Sequence, residues 1–154
     1  MLIWGASCKC PTLTHLPLSY RDINLATSAS VGNYAVQLAN MEGLEVIATC
    51  SPRHADFVRS LGAKHVLNYR DEDIVDKIKG VVPGLKYVFD TIGRETTSAT
   101  ASRALNPSGG SLCTVRPGKA NTDGVTAWTK VSDVLVWTAF LKEHRYGTFY
   151  WPVC

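Results

Sequence analysis

Two short stretches near the start of the chain have the residue types to hold a phosphate. Leu2-Ile3-Trp4-Gly5-Ala6-Ser7 reads as a buried strand running into a glycine turn. Ser30-Val31-Gly32-Asn33-Tyr34-Ala35-Val36-Gln37-Leu38-Ala39 reads as the start of a helix. Joined closely, they make the strand–turn–helix unit that cradles the pyrophosphate of a dinucleotide. Gly5 would allow the tight turn and Gly32 the close approach of helix to strand. The N–H groups of Ser30, Val31 and Gly32 would then face the anion from the positive end of the helix. Between the two stretches lies an interrupting segment of 21 residues, 8–28, followed by Ala29.

A second group closes the next strand. A fold that prefers NAD places an Asp or Glu there to bond the ribose 2′-hydroxyl. This chain offers Thr49-Cys50-Ser51-Pro52-Arg53-His54 and no acid. Ser51 can donate a hydrogen bond, Arg53 can pair with a 2′-phosphate, and Tyr69 ends the following strand within reach of the same group. The plainer alternative is Ser51 as a helix cap followed by a solvated arginine. Asp90, in Asp90-Thr91-Ile92-Gly93, either orients a ribose or caps its own loop. His15, His54, His65 and His144 show no catalytic pairing and read as surface or packing residues. No tyrosine has a lysine four positions on, which disfavours the acid–base pair of short-chain dehydrogenases.

The elements that must position these groups alternate along the chain. Val31, Tyr34, Ala35, Leu38 and Ala39 recur with helical spacing, and Gly43 stops that helix. Strands are predicted over 45–49, 65–69, 86–92 and 111–115. Helices are predicted from Pro52 to a Gly62 cap, over 71–79 and over 97–105. Residues 116–128 read as a loop, 134–141 as an apolar strand or helix, and 144–152 as an aromatic, polar tail. This order implies an α/β domain with a parallel sheet, helices on both faces and ligands beyond the carboxyl ends of the strands.

Composition agrees with an ordinary globular domain: 154 residues, 45% hydrophobic, 19% charged, net charge +3. The absence of a Lys/Arg block argues against a nucleic-acid surface, and the longest apolar run is too short for a bilayer. No basic-then-apolar start suggests a secretory signal. Five scattered cysteines imply reduced thiols in a cytoplasmic protein. Cys8-Lys9-Cys10 lacks a second ligand pair, so no metal site is expected.

These residues resemble the medium-chain dehydrogenase/reductase superfamily over nearly everything outside 8–28. The matching segments include Val46-Ile47-Ala48-Thr49-Cys50-Ser51-Pro52, Leu61-Gly62-Ala63, Asn68-Tyr69-Arg70, Tyr87-Val88-Phe89-Asp90-Thr91-Ile92 and His144-Arg145-Tyr146-Gly147. Within it the chain is most similar to the fungal trans-acting enoyl reductases that partner polyketide synthases and to their zinc-free, quinone-oxidoreductase-like relatives. The resemblance implies a Rossmann-type doubly wound parallel sheet, NADPH as cofactor, and hydride reduction of an activated C=C in an enoyl or quinone-like small molecule. It implies a phosphate loop of Ser7, Ser30, Val31 and Gly32 beside Gly5, and a 2′-phosphate site of Ser51, Pro52, Arg53, His54 and Tyr69. Arg116 and Pro117 match the nicotinamide side, and Trp137, Thr138, Ala139, Phe140 and Leu141 match a substrate-lining segment. It assigns no catalytic residue. The family carries an N-terminal GroES-like domain walling the active site; the expectation is that this catalytic domain and the C-terminal return segment are absent, leaving an incomplete fold. A non-catalytic remnant and a zinc-type alcohol dehydrogenase fragment stay open as alternatives.

Residues 8–28 are expected to be translated intron and disordered, dividing the chain into 1–7, 8–28 and 29–154. Cys8-Lys9-Cys10 can be encoded TGT-AAG-TGC, which contains a splice donor, and Ser28-Ala29 as TCA-GCN, which contains a CAG acceptor. Excision would remove 63 bases, keep the frame and leave Gly-Ala-Ser-Ser-Ser-Val-Gly. A real loop of this length without structure inside a compact domain is uncommon.

Overall fold

The computed structural model describes residues 1–4, 20–134, 143–146 and 148–151. Its elements, in chain order, are β1 (Leu2–Trp4), α1 (Tyr20–Met41), β2 (Ile47–Cys50), α2 (Ala55–Ser60), β3 (His65–Asn68), α3 (Ile74–Val81), β4 (Tyr87–Asp90), α4 (Glu95–Arg103), β5 (Gly110–Thr114), β6 (Thr129–Asp133), β7 (His144–Tyr146) and β8 (Phe149–Trp151). Six parallel strands form one sheet in the order β3-β2-β1-β4-β5-β6. The chain leaves one edge at β3 and re-enters beside β1 as β4, so the order reverses between β1 and β4. In doubly wound sheets a reversal of this kind marks the ligand edge, beyond the carboxyl ends of the strands.

The strands are apolar on both faces because helices cover both. Leu2, Ile47, Val88 and Leu112 point into one layer, packed with Ile74 and Ile78 of α3 and with Ala101, Ala104 and Leu105 around the end of α4. Their neighbours Ile3, Val46, Ala48 and Cys50 point into the other, with Val36 and Ala39 of α1, Val58 of α2 and Ala63. Leu2, Ile3, Ile47 and Leu112 are all 0% exposed. Each fully buried aliphatic side chain of this kind contributes about 1.5–3 kcal/mol. Gly62 ends the α2 turn with φ +107°, where a Cβ would lie 2.5 Å from the Asn40 side chain of α1. The two helices can pack closely there only because the residue is glycine.

The structure departs from the sequence reading in four places. The α1 backbone is helical from Tyr20, ten residues before Ser30 and within the stretch expected to be disordered. Its buried face is Gly32, Asn33, Val36 and Ala39, whereas Val31, Tyr34 and Leu38 are exposed. Small residues win the sheet side because they let the helix lie close to β1 and β2. Pro52 opens a 3-10 turn, Pro52–His54, before α2 begins. Finally, β6 occupies 129–133, between the loop read at 116–128 and the apolar segment 134–141, where no element was predicted. Thr129-Lys130-Val131-Ser132-Asp133 has one large apolar residue, which is enough for an edge strand with a single covered face. Of the apolar segment 134–141 only Val134 is described; its N–H donates to the Thr114 carbonyl at 3.0 Å and prolongs the ladder. The aromatic tail forms an antiparallel hairpin, β7–β8. Among the described residues no helix is long and apolar enough to cross a membrane.

Candidate functional site at the carboxyl edge of the sheet

The end of β2 and the end of β3 leave the sheet side by side. Cys50 pairs with Asn68, and the Tyr69 N–H donates to the Cys50 carbonyl at 3.4 Å. Ser51 and Tyr69 are therefore neighbours at the edge. Ser51 is extended, 7% exposed, and its hydroxyl makes no cap hydrogen bond, so the simple capping role does not hold. Its carbonyl instead accepts the His54 N–H at 3.0 Å, which closes the turn that carries Arg53. Arg53 is exposed and His54 is half-buried.

The cations around this edge divide into two kinds. Arg59 pairs with Asp56 at 2.8 Å, and Lys77 with Asp71 at 2.7 Å and Asp73 at 2.9 Å. These contacts pull the Asp73 carboxyl below its usual range and push the Lys77 ammonium up. Arg53 and Arg70, at the strand ends themselves, have no carboxylate partner among the described residues. Arg70 donates from Nε to the Tyr69 hydroxyl at 3.0 Å, with its guanidinium carbon 5.3 Å from the ring centroid.

At the end of β4, Asp90 is fully buried. One carboxylate oxygen accepts the N–H groups of Ile92 (3.0 Å) and Gly93 (2.9 Å). The other accepts the hydroxyls of Thr97 (2.9 Å) and Ser98 (2.8 Å) on α4. Of the two roles open to Asp90 in the sequence, these contacts make it the cap of its own loop.

The end of β5 is tied to that loop. Arg116 Nε donates to the Gly93 carbonyl at 3.0 Å, and Asn121 Nδ2 donates to the same oxygen at 2.9 Å. Gly93 has φ +63°, and a Cβ there would lie 2.3 Å from Arg116 Cγ. Pro117 begins a short 3-10 turn, Pro117–Lys119, held by the Gly118 N–H to Asp133 at 2.8 Å. Burial pushes the Cys50 and Cys113 thiols up, which disfavours a thiolate nucleophile at either position. Among the described residues no group of three His, Cys, Asp or Glu side chains could hold a metal. A shallow depression bordered by Lys86, Tyr87, Trp128 and Lys130 opens at the amino ends of β4–β6, opposite this edge.

The structure thus sets Ser51, Pro52, Arg53 and His54 at the end of β2 beside Tyr69 at the end of β3, and places Arg116 and Pro117 at the end of β5 on the same edge. Ser30, Val31 and Gly32 lie inside α1, so their N–H groups are not at a free helix N-terminus in this chain. That arrangement differs from the expected phosphate turn, and its cause is the helical backbone of 20–29 preceding them. Gly5, Ser7, Trp137, Thr138, Ala139, Phe140 and Leu141 lie outside the described residues. Sequence reasoning missed Arg70 and Asn121 as site-forming side chains. Arg70 had one signal: it follows Tyr69 directly and is a cation at a strand end.

The family model described as zinc-binding dehydrogenase matches residues 30–135. The chain is 37% identical over 137 residues to the trans-enoyl reductase ACTTS2 of Alternaria alternata, covering 82% of this chain and 39% of that protein. It is 45% identical over 84 residues to the trans-enoyl reductase TwmE of Talaromyces wortmannii, covering 54% of this chain and 23% of that protein. It shares its fold with the CurK enoyl reductase, with a TM-score of 0.62 at 22% identity, over 90% of this chain and 36% of that one. The chain therefore spans well under half the length of these relatives. Members of this Rossmann-fold family bind nicotinamide cofactors. With the family model matching most of the chain and the sheet order agreeing, this protein belongs to the zinc-binding dehydrogenase family, oxidoreductases of the medium-chain dehydrogenase/reductase superfamily, and residues 30–135 carry their Rossmann-type fold.

Proposed function

We propose that this chain is the NADPH-binding part of an oxidoreductase that reduces an activated C=C, of the enoyl or quinone type, by hydride transfer. The observation that carries this reading is the donor-only end of β2. No carboxylate stands between Thr49 and His54, the Ser51 hydroxyl is not used as a cap, and Arg53 has no acidic partner among the described residues. Such a set suits a 2′-phosphate and disfavours a bare ribose diol.

The nicotinamide supplies the hydride when bound. The protein's residues bind and orient. Ser51, Arg53 and the Tyr69 hydroxyl hold the 2′-phosphate, with Pro52 and His54 shaping their turn. The backbone at Arg116 and Pro117 flanks the nicotinamide side, where two side chains fix the neighbouring Gly93 carbonyl. Gly5, Ser7, Ser30, Val31 and Gly32 hold the pyrophosphate once residues 8–28 are removed, because α1 would then begin near Ser30. Residues Trp137, Thr138, Ala139, Phe140 and Leu141 line the substrate. The names of the similar proteins favour an enoyl substrate. A cytoplasmic protein working with a polyketide synthase, and with a further domain walling the active site, completes the proposal.

A second reading applies to the chain as written. With Ser30, Val31 and Gly32 inside a continuous helix, it is a non-catalytic remnant of that reductase. One experiment separates the two. The transcript is sequenced across the codons for Ser7 and Ser30 and upstream of Met1, and its product is assayed with an enoyl thioester. The proposed reductase loses 63 bases and turns over with NADPH in preference to NADH, while the 154-residue chain shows no turnover. Equal use of both cofactors would sink the 2′-phosphate assignment, and a retained insert would leave the remnant.

A further inference from the structure

We infer that Arg70 is a second 2′-phosphate-reading guanidinium, preset by Tyr69; the inference rests on the NADPH reading above. Arg70 lies outside the set that the family resemblance supplies. Three observations assign it.

The first is position. The Tyr69 N–H bonds the Cys50 carbonyl, so the Tyr69-Arg70 pair leaves the sheet next to Ser51, on the strand adjoining the one that carries Arg53. The second is geometry. Nε is committed to the Tyr69 hydroxyl at 3.0 Å, and the Arg70 N–H to Asn68 Oδ1 at 3.2 Å. With the guanidinium over the ring and its Nε held by the hydroxyl, its two terminal nitrogens are left without a partner among the described residues. That planar fork matches two oxygens of a phosphomonoester. The Tyr69 oxygen accepts from Nε, so its own proton remains to donate. The third is charge. Arg59 and Lys77 are neutralised by acids, while Arg53 and Arg70 have no acidic partner among the described residues. Two guanidiniums carried by the adjoining ends of β2 and β3, neither paired with an acid among the described residues, suit a group carrying about two negative charges near pH 7.

The test uses the 154-residue chain and needs no turnover, because the candidate subsite lies within the described residues. Binding of 2′,5′-ADP and 5′-AMP is measured by calorimetry for the wild type, R70Q, R70K and R59Q, with circular dichroism as a folding check. The wild type is expected to prefer 2′,5′-ADP. R70Q should lower 2′,5′-ADP affinity about tenfold and leave 5′-AMP unchanged, as for loss of a charge-assisted pair. R70K should fall between, since it keeps charge without the fork, and R59Q should match the wild type. A wild type that does not discriminate overturns the NADPH reading and this inference with it. A wild type that discriminates while R70Q still does overturns the Arg70 role alone. An R59Q loss equal to that of R70Q also overturns it, because general charge would then explain the effect.

Discussion

Replacing Asp90 by alanine should be among the most damaging single changes to this fold. The carboxylate is 0% exposed and accepts four hydrogen bonds, two from backbone N–H groups and two from hydroxyls. The hydroxyls are less exposed to the loss. Thr97 already has the Arg94 carbonyl as a second acceptor at 2.9 Å, and Ser98 can turn back to its own helix. The Ile92 and Gly93 N–H groups have no such recourse. Each would forfeit about 1–3 kcal/mol in desolvation, and a cavity adds to that. The expected cost for Asp90→Ala is about 3–5 kcal/mol, a Tm drop of about 6–20 °C for a chain of this size. Asp90→Asn keeps one carbonyl oxygen for the two N–H groups, and its amide can donate to rotated hydroxyls. It should cost only about 1–2 kcal/mol, the loss of charge assistance. Urea titration followed by circular dichroism measures both. A cost below about 1 kcal/mol for Asp90→Ala, or equal costs for the two variants, would refute the view that this carboxylate organises the β4–α4 loop.

Two further outcomes follow from the same edge. Gly93→Ala forces a Cβ against Arg116 Cγ at 2.3 Å in a left-handed conformation, so it should destabilise by about 2–4 kcal/mol and release the Arg116–Gly93 bond; a change within about 0.5 kcal/mol in the same titration would contradict it. Replacing residues 8–29 by one serine, the spliced sequence, should strengthen NADPH binding about 5–30-fold, because an anion at a helix N-terminus is worth about 1–2 kcal/mol; unchanged affinity by fluorescence titration would argue that 8–28 is a genuine part of the loop.

The sequence by itself determined the architecture. The alternation of β-branched runs with helical periodicities allowed a doubly wound parallel sheet, and the donor-only end of β2 was visible as Ser51-Pro52-Arg53 without an acid. These features are local, so one pass along the chain reads them. The tertiary structure decided what depends on two distant segments meeting. It chose the α1 face carrying Gly32 and Ala39 over the face carrying Tyr34 and Leu38, since approach to the sheet rewards small size above hydrophobicity. It made β6 a strand despite one large apolar residue, because a single covered face suffices at an edge. It settled Asp90 as a loop cap, a role set by Thr97 and Ser98 arriving on the next helix. It also set Arg70 against Tyr69 beside Ser51, a neighbourhood that exists only once β2 and β3 pair.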